Sequence, residues 1–237
     1  MNLGELFEQL SHGELRQMAL GGSEASGIKP DDYPKVIPHI NWALTQLHKK
    51  FDIRIKRLSI KQYEHISTYE LNPKYSQTNT SSTEKWKYIK DSIYQPFDNA
   101  DEPLKIISVY KEDGSEYILN DETNAFSLFT PTDLSIQIPY NRKENMMTVH
   151  YRAGHPKLSA DGENVLGQEV NVSASYLDPL LLAIAGRYLT TSGNAESEAA
   201  GNNFLTRFEL SCREIRDLGL TKHTHNRNQK AVINGWV

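Results

Sequence analysis

Cysteine is almost missing from this chain: Cys212 is the only one in 237 residues. An intrachain disulfide is therefore impossible, and a zinc site would need ligands other than paired thiolates. Long apolar runs are missing too. The longest uncharged one, near Pro179 to Gly186, is far too short to span a bilayer, so no membrane partner is expected. The opening segment, MNLGELFEQL, holds acidic side chains where a signal peptide holds basic ones, which points to folding in a reducing cytoplasm. An excess of positive charge is also absent. The 26 Lys and Arg stand against 30 Asp and Glu, a net charge of -4. That argues against wholesale wrapping of nucleic acid and leaves room only for a local basic patch. No Walker loop, GxSxG elbow, HExxH helix or dinucleotide fingerprint occurs. The chain is not expected to be an enzyme or to hold a cofactor.

What is present is periodicity. Leu3, Leu6, Phe7 and Leu10 share one helical face, Asn2 with Glu5 has capping-box spacing, and Ser11 with Glu14 repeats it before Leu15 and Met18. Glycines and serines between Gly21 and Gly27 mark a loop. A second helix follows, with Asp32 as its cap, Pro34 in its first turn and a stripe of Ile37, Ile40, Leu44, Leu47 and Phe51. Beyond Asp52 the period shortens to two. Ile53, Ile55, Leu58, Ile60, Ile66 and Thr68 suggest strands, and residues 72–83 read as a mobile polar loop. One hairpin turns at Asp113-Gly114. A second is expected to place Leu134, Ile136 and Ile138 opposite Met147, Val149 and Tyr151.

Helical spacing returns after Tyr176. Asp178-Pro179 reads as a cap and first turn, with Leu181, Ile184, Ala185 and Tyr188 on one face. Asn194 starts a second helix striped by Phe204, Phe208, Cys212, Ile215 and Leu218, and Gly219 ends it with Leu220 folding back. Gly186 and Gly201 flank the Gly193 turn at nearly equal distance, so a close helix–helix contact is expected there. The fold class is α+β: a helical bundle built from both chain ends (1–52 and 170–220), a β-rich insertion (53–158), a linker (159–169) and an extended C-terminal tail (221–237).

Candidate chemistry is sparse. His223 and His225 are two imidazoles without further ligands nearby, so no metal site is assigned. Asp31-Asp32 and Asp101-Glu102 are paired acids that suit caps and turns better than magnesium. Arg54, Lys56, Arg57 and Lys61 form a candidate basic patch, whose bland reading is the solvated face of a half-buried sheet. The tail carries Lys222, His223, His225, Arg227 and Lys230, no acidic side chain, and an apolar tip of Val232, Ile233, Trp236 and Val237. Such a tip either frays or anchors a partner.

Several segments, taken in order over most of the chain, resemble the head-to-tail connector (adaptor, head-completion) proteins of tailed bacteriophages, podovirus-like ones in particular. They are YPKVIPHINWALTQLHKKFDIRIKRLSI, ISTYEL, LKIISVYKEDG, FTPTDLSIQIPY, MMTVHYRAGHPKL, YLDPLLLAIAGRYL and NNFLTRFELSCREI. None of these motifs is enzymatic. The resemblance implies a structural virion protein at the head–tail junction, made in the bacterial cytoplasm. It would form a ring, dodecameric like the portal, that closes the DNA-filled head and lines the DNA channel. Its implied partners are further copies of itself, the portal protein, a tail-side nozzle or tube component, and DNA in transient passage. The helices would form the ring body, the β insertion would face the tail, and the 221–237 tail would dock on the portal. The competing expectation is a DNA-end-binding or DNA-processing factor that uses the basic patch.

Overall fold

The computed structural model describes residues 1–16, 28–94, 96–98, 102–139 and 145–220. Expectations for Met18, the Gly21–Gly27 loop, Asp101, the turn of the second hairpin and the whole tail from Thr221 fall outside those residues. The described chain mixes α and β structure, with four helices and two antiparallel sheets.

Helix α1 (Leu3–His12) starts as its sequence dictates. The Asn2 side chain accepts from the Glu5 N–H at 2.8 Å, and the Glu5 carboxylate accepts from the Asn2 N–H at 3.1 Å. The Leu3 and Gly4 N–H groups donate to the carbonyls of Gln168 and Leu166, so the free donors of the first turn are matched. The expected 159–169 linker is thus packed on the helices. Val170 N–H bonds Met1 carbonyl, Leu158 and Val170 are buried, and Val165 and Leu166 pack on the helical core, so the segment is docked along α1. The second capping box is also absent: α1 ends at Gly13, and the Ser11 hydroxyl donates to Glu8 carbonyl.

Helix α2 (Tyr33–Lys50) buries the expected stripe plus Val36, Ala43 and His48. Asp32 makes no capping bond, because a 3-10 turn at Pro30–Asp32 leads into the helix and turns its carboxylate to Lys35, 2.6 Å away. Helix α3 (Leu177–Thr190) begins one residue before Asp178, whose carboxylate accepts from Ser211 of helix α4 (Ala195–Asp217) instead of capping. It has no single apolar face: Leu180, Leu182, Ala183, Ile184, Ala185, Gly186 and Leu189 are all buried. Asn194 caps α4 as expected, and Gly219 has φ +68°, but Leu218 and Leu220 are exposed and do not fold back. One apolar core collects side chains from α1, α2, the docked segment, α3 and α4.

The main sheet has the order β3-β1-β6-β4, formed by β1 (Ile55–Lys61), β3 (Ile89–Lys90), β4 (Pro103–Lys111) and β6 (Met146–Ala153). A smaller sheet pairs β2 (Thr68–Glu70) with β5 (Ser135–Gln137). The turn at Asp113-Gly114 is present: Ser115 N–H donates to Asp113, Gly114 has φ +83°, and the return is a single bridge between Tyr110 and Glu116. The second hairpin is not. β5 pairs with β2, while β6 lies between β1 and β4. The expected alternation survives, since Ile136, Ile138, Met147, Val149 and Tyr151 fill one second core. The 72–83 loop is pinned rather than mobile. Asp91 accepts from the Ser76 and Thr78 hydroxyls and from the Thr78 and Phe97 N–H groups.

Cys212 sits in the helical core, 1% exposed, and burial pushes its thiol up to about 11. The native protein is expected not to react with a water-soluble disulfide reagent at mildly alkaline pH, and to release its thiol on denaturation. Rapid native labelling would show that α4 opens readily.

Candidate functional site

The two expected glycines meet. A β-carbon added at Gly201 would lie 2.8 Å from Gly186 carbonyl oxygen and 2.8 Å from both Thr190 N and Thr190 Cγ2. One added at Gly186 would lie 2.8 Å from two carbons of Leu205 and 3.1 Å from Gly201 oxygen. Backbone therefore touches backbone where α3 crosses α4. Lys50 at the end of α2 bonds Glu209 at 2.8 Å and ties α2 to the same helix.

The four basic residues are spread along β1 and the stretch just before it. Lys56, opposite Tyr151, and Arg57, opposite His150, are neighbours in the strand. Lys56 and Arg57 both border a cleft of about 670 Å³, together with Tyr94, Phe97, Asp98 and His150. Lys61 lies at the far end of β1, its ammonium 5.1 Å from the centre of the Tyr63 ring. Arg54 precedes the strand and donates to Gly154 carbonyl at 2.9 Å.

That last bond belongs to the joint where the chain leaves the helices at Phe51–Arg54 and returns at 153–156. Ala153 N–H donates to Arg54 carbonyl. Arg152 grips Asp52 through Nε at 2.6 Å and Nη2 at 2.5 Å, and donates from Nη1 to Lys49 carbonyl at 2.6 Å. Two buried histidines lie in the same place, their ring centroids 5.8 Å apart. His48 Nδ1 lies 2.8 Å from Leu44 carbonyl, which can only accept, so this nitrogen carries the proton in the neutral ring. Its Nε2 is buried without a partner among the described residues. His155 is arranged alike: Nδ1 donates to Pro156 carbonyl at 2.6 Å and Nε2 accepts from Asn171 N–H at 3.2 Å. A second proton on either ring would be a buried cation beside Arg54, and at His155 it would also break the Asn171 bond. Burial is the main force holding both below the usual histidine range, opposed by the two carbonyls and reinforced by Arg54. His39 is lowered too, by burial and then by Arg187.

The sequence did not single out this histidine pair. The signal was a polar ring inside the apolar stripe of α2, four residues after Leu44; nothing marked its partner at 155. The anchor residues proposed in the tail, Lys222 to Val237, lie outside the described residues. Among the described residues no group of three or more His, Cys, Asp or Glu converges as a metal site, and no helix is long and apolar enough to cross a membrane. No protein-family model matches the chain, and no curated protein matches it either.

Two outcomes are expected. Gly201→Ala should destabilise the protein by about 1–3 kcal/mol in denaturant melts, because the atoms it meets are largely backbone and outweigh a helix-propensity gain of about 1 kcal/mol. Gly186→Ala should cost less, since the Leu205 side chain can move. Stability should also fall as the pH drops below about 6.5. There the unfolded chain binds protons that the folded His48, His155 and His39 resist, so the slope of unfolding free energy with pH is positive until the folded rings titrate. Melts of His48→Gln/His155→Gln against wild type test this; an unchanged slope would mean the pair does not contribute.

Proposed function

We propose that this chain is a structural assembly protein, a connector that closes a phage head and joins it to a tail. The observation that carries the reading is the contact at the centre of the best-specified part of the molecule. Gly186, Gly201, Thr190 and Leu205 pack and do not react, so the α3–α4 pair serves as a rigid body rather than a reaction site. The ordered resemblance of segments along the chain gives that body its role. In this reading a helical bundle from both chain ends forms the ring, through a heterologous interface that closes on itself. The β unit, held out by the charged joint, faces the tail-side component, and the 221–237 tail orders on the portal. An acidic chain suits a channel that lets DNA slide, because each phosphate neutralised by Lys or Arg adds salt-sensitive affinity.

Mass and image analysis of the purified chain, alone and mixed with portal from the same source, tests the proposal. A ring that forms with portal, and is lost when residues after Leu220 are removed, is the expected result. A chain that ignores portal but binds duplex DNA ends tightly and with steep salt dependence would overturn it in favour of the end-binding factor.

A further inference from the structure

β1 runs from the joint at Ile55 to Lys61, so its last residues stand about 20 Å along the strand from the joint. Three rings gather just beyond it. The centroids of His65 and Trp86 are 4.3 Å apart, Tyr63 and Trp86 5.2 Å, and Tyr63 and His65 5.9 Å, with the planes tilted by 47–57°. Trp86 is 38% exposed and His65 is exposed too, unlike the ring pairs inside the core. Two ammonium groups flank the rings: Lys61 Nζ is 5.1 Å from the Tyr63 centroid and Lys85 Nζ 5.1 Å from that of Trp86. Lys87 is fixed alongside by a bond to Asn79 carbonyl, and the adjacent Glu84 acts on Lys74.

The base of this cluster is held. Tyr88 beside it bonds both N–H and carbonyl of Glu70, Tyr69 bonds both N–H and carbonyl of Tyr63, and Asp91 pins the loop leading to Trp86. The platform is thus preorganised, and a ligand ordering on it does not first have to order the rings. Its cations are lysines, which are depleted from the cores of protein interfaces, where Arg accompanies Trp and Tyr. Exposed rings with lysines around them suit a partner that offers flat bases and phosphates on one flexible strand. A duplex keeps its bases stacked and cannot offer them to Trp86.

We propose that Tyr63, His65 and Trp86, with Lys61 and Lys85, form a binding site for single-stranded nucleic acid. Bases stack on the exposed ring faces as the lysine side chains swing aside to meet phosphates. The site is independent of the assembly role above, since neither portal nor ring is needed for it.

The test is fluorescence anisotropy of the full chain with a labelled thymidine oligonucleotide of about 12 nucleotides, within the range one such platform covers. Saturable binding is expected, with a matched duplex bound at least tenfold more weakly. Trp86→Ala should weaken it roughly tenfold. Lys61→Ala/Lys85→Ala should weaken it and flatten the log–log salt slope by roughly 1.4, two phosphates' worth on a single strand. Lys105→Ala, an exposed lysine on β4, should change nothing. Thermal melts of each variant check folding, and Trp86→Phe, which keeps a ring, should retain most of the affinity if a variant melts early. Absence of saturable binding, equal binding of the duplex, indifference to the Trp86 and lysine changes, or equal displacement by poly-glutamate would overturn the proposal.

Discussion

Helix α3 cannot exist in water on its own terms. With Leu180, Leu182, Ala183, Ile184, Ala185, Gly186 and Leu189 buried around its circumference, it needs cover on every side rather than along one stripe. Helix α2 packs on it from the N-terminal part of the chain and α4 from the C-terminal part. Arg187 lies over the Trp42 ring, and His39 meets Tyr188 edge-on, so the α2 contact is specified as well as apolar. Bringing two distant segments together around one helix turns everything between them into a loop. The entropic cost of closing a loop grows only slowly with its length, and a loop of that size can hold a folded unit with its own core.

The connection between the two units follows from that arrangement. Two strands of backbone must cross from one core to the other, and neither core covers them fully. The chain meets this with polar partners: Arg152 satisfies Asp52 and Lys49 carbonyl together, Arg54 satisfies Gly154, and Asn41 exchanges two hydrogen bonds of 2.9 Å with the backbone of Leu158. Directional bonds of this kind fix an angle in a way that apolar contact does not. The glycine contact between α3 and α4 works oppositely. It gains its definition from the absence of side chains, so that a shift of either helix separates two backbones in close van der Waals contact.

The β unit is built around tyrosine hydroxyls. Tyr69 and Tyr88 reach from the second core to the backbone of Tyr63, ahead of the short β2 strand, and of Glu70, at its end, and burial pushes both phenols above their usual range. The short strand is thus held by side-chain as well as backbone hydrogen bonds. The same tyrosines support the ring cluster just beyond β1, which links the packing of this core to its exposed surface.

Local signals were legible where the physics is local. The Asn2–Glu5 capping box, the stripe of α2, the Asn194 cap, the Asp113-Gly114 turn and the left-handed Gly219 each depend on residues within a few positions of one another, and each stands in the structure as its spacing requires. The Gly186–Gly201 approach was legible too, because a short turn makes distance along an antiparallel pair readable from sequence. Strand partners were not. Alternation says which face of β5 and β6 is buried, but any strand with the same alternation satisfies it, and only the assembled core chose β2 for one and β1 and β4 for the other. The docking of 158–172 against α1, the cleft shared by Lys56 and Arg57, the pairing of His48 with His155 and the gathering of Tyr63, His65 and Trp86 are likewise tertiary. Sequence sets what each residue can bury or bond. Which of several equally eligible partners it meets is set by a core that minimises exposed apolar surface across the whole chain at once.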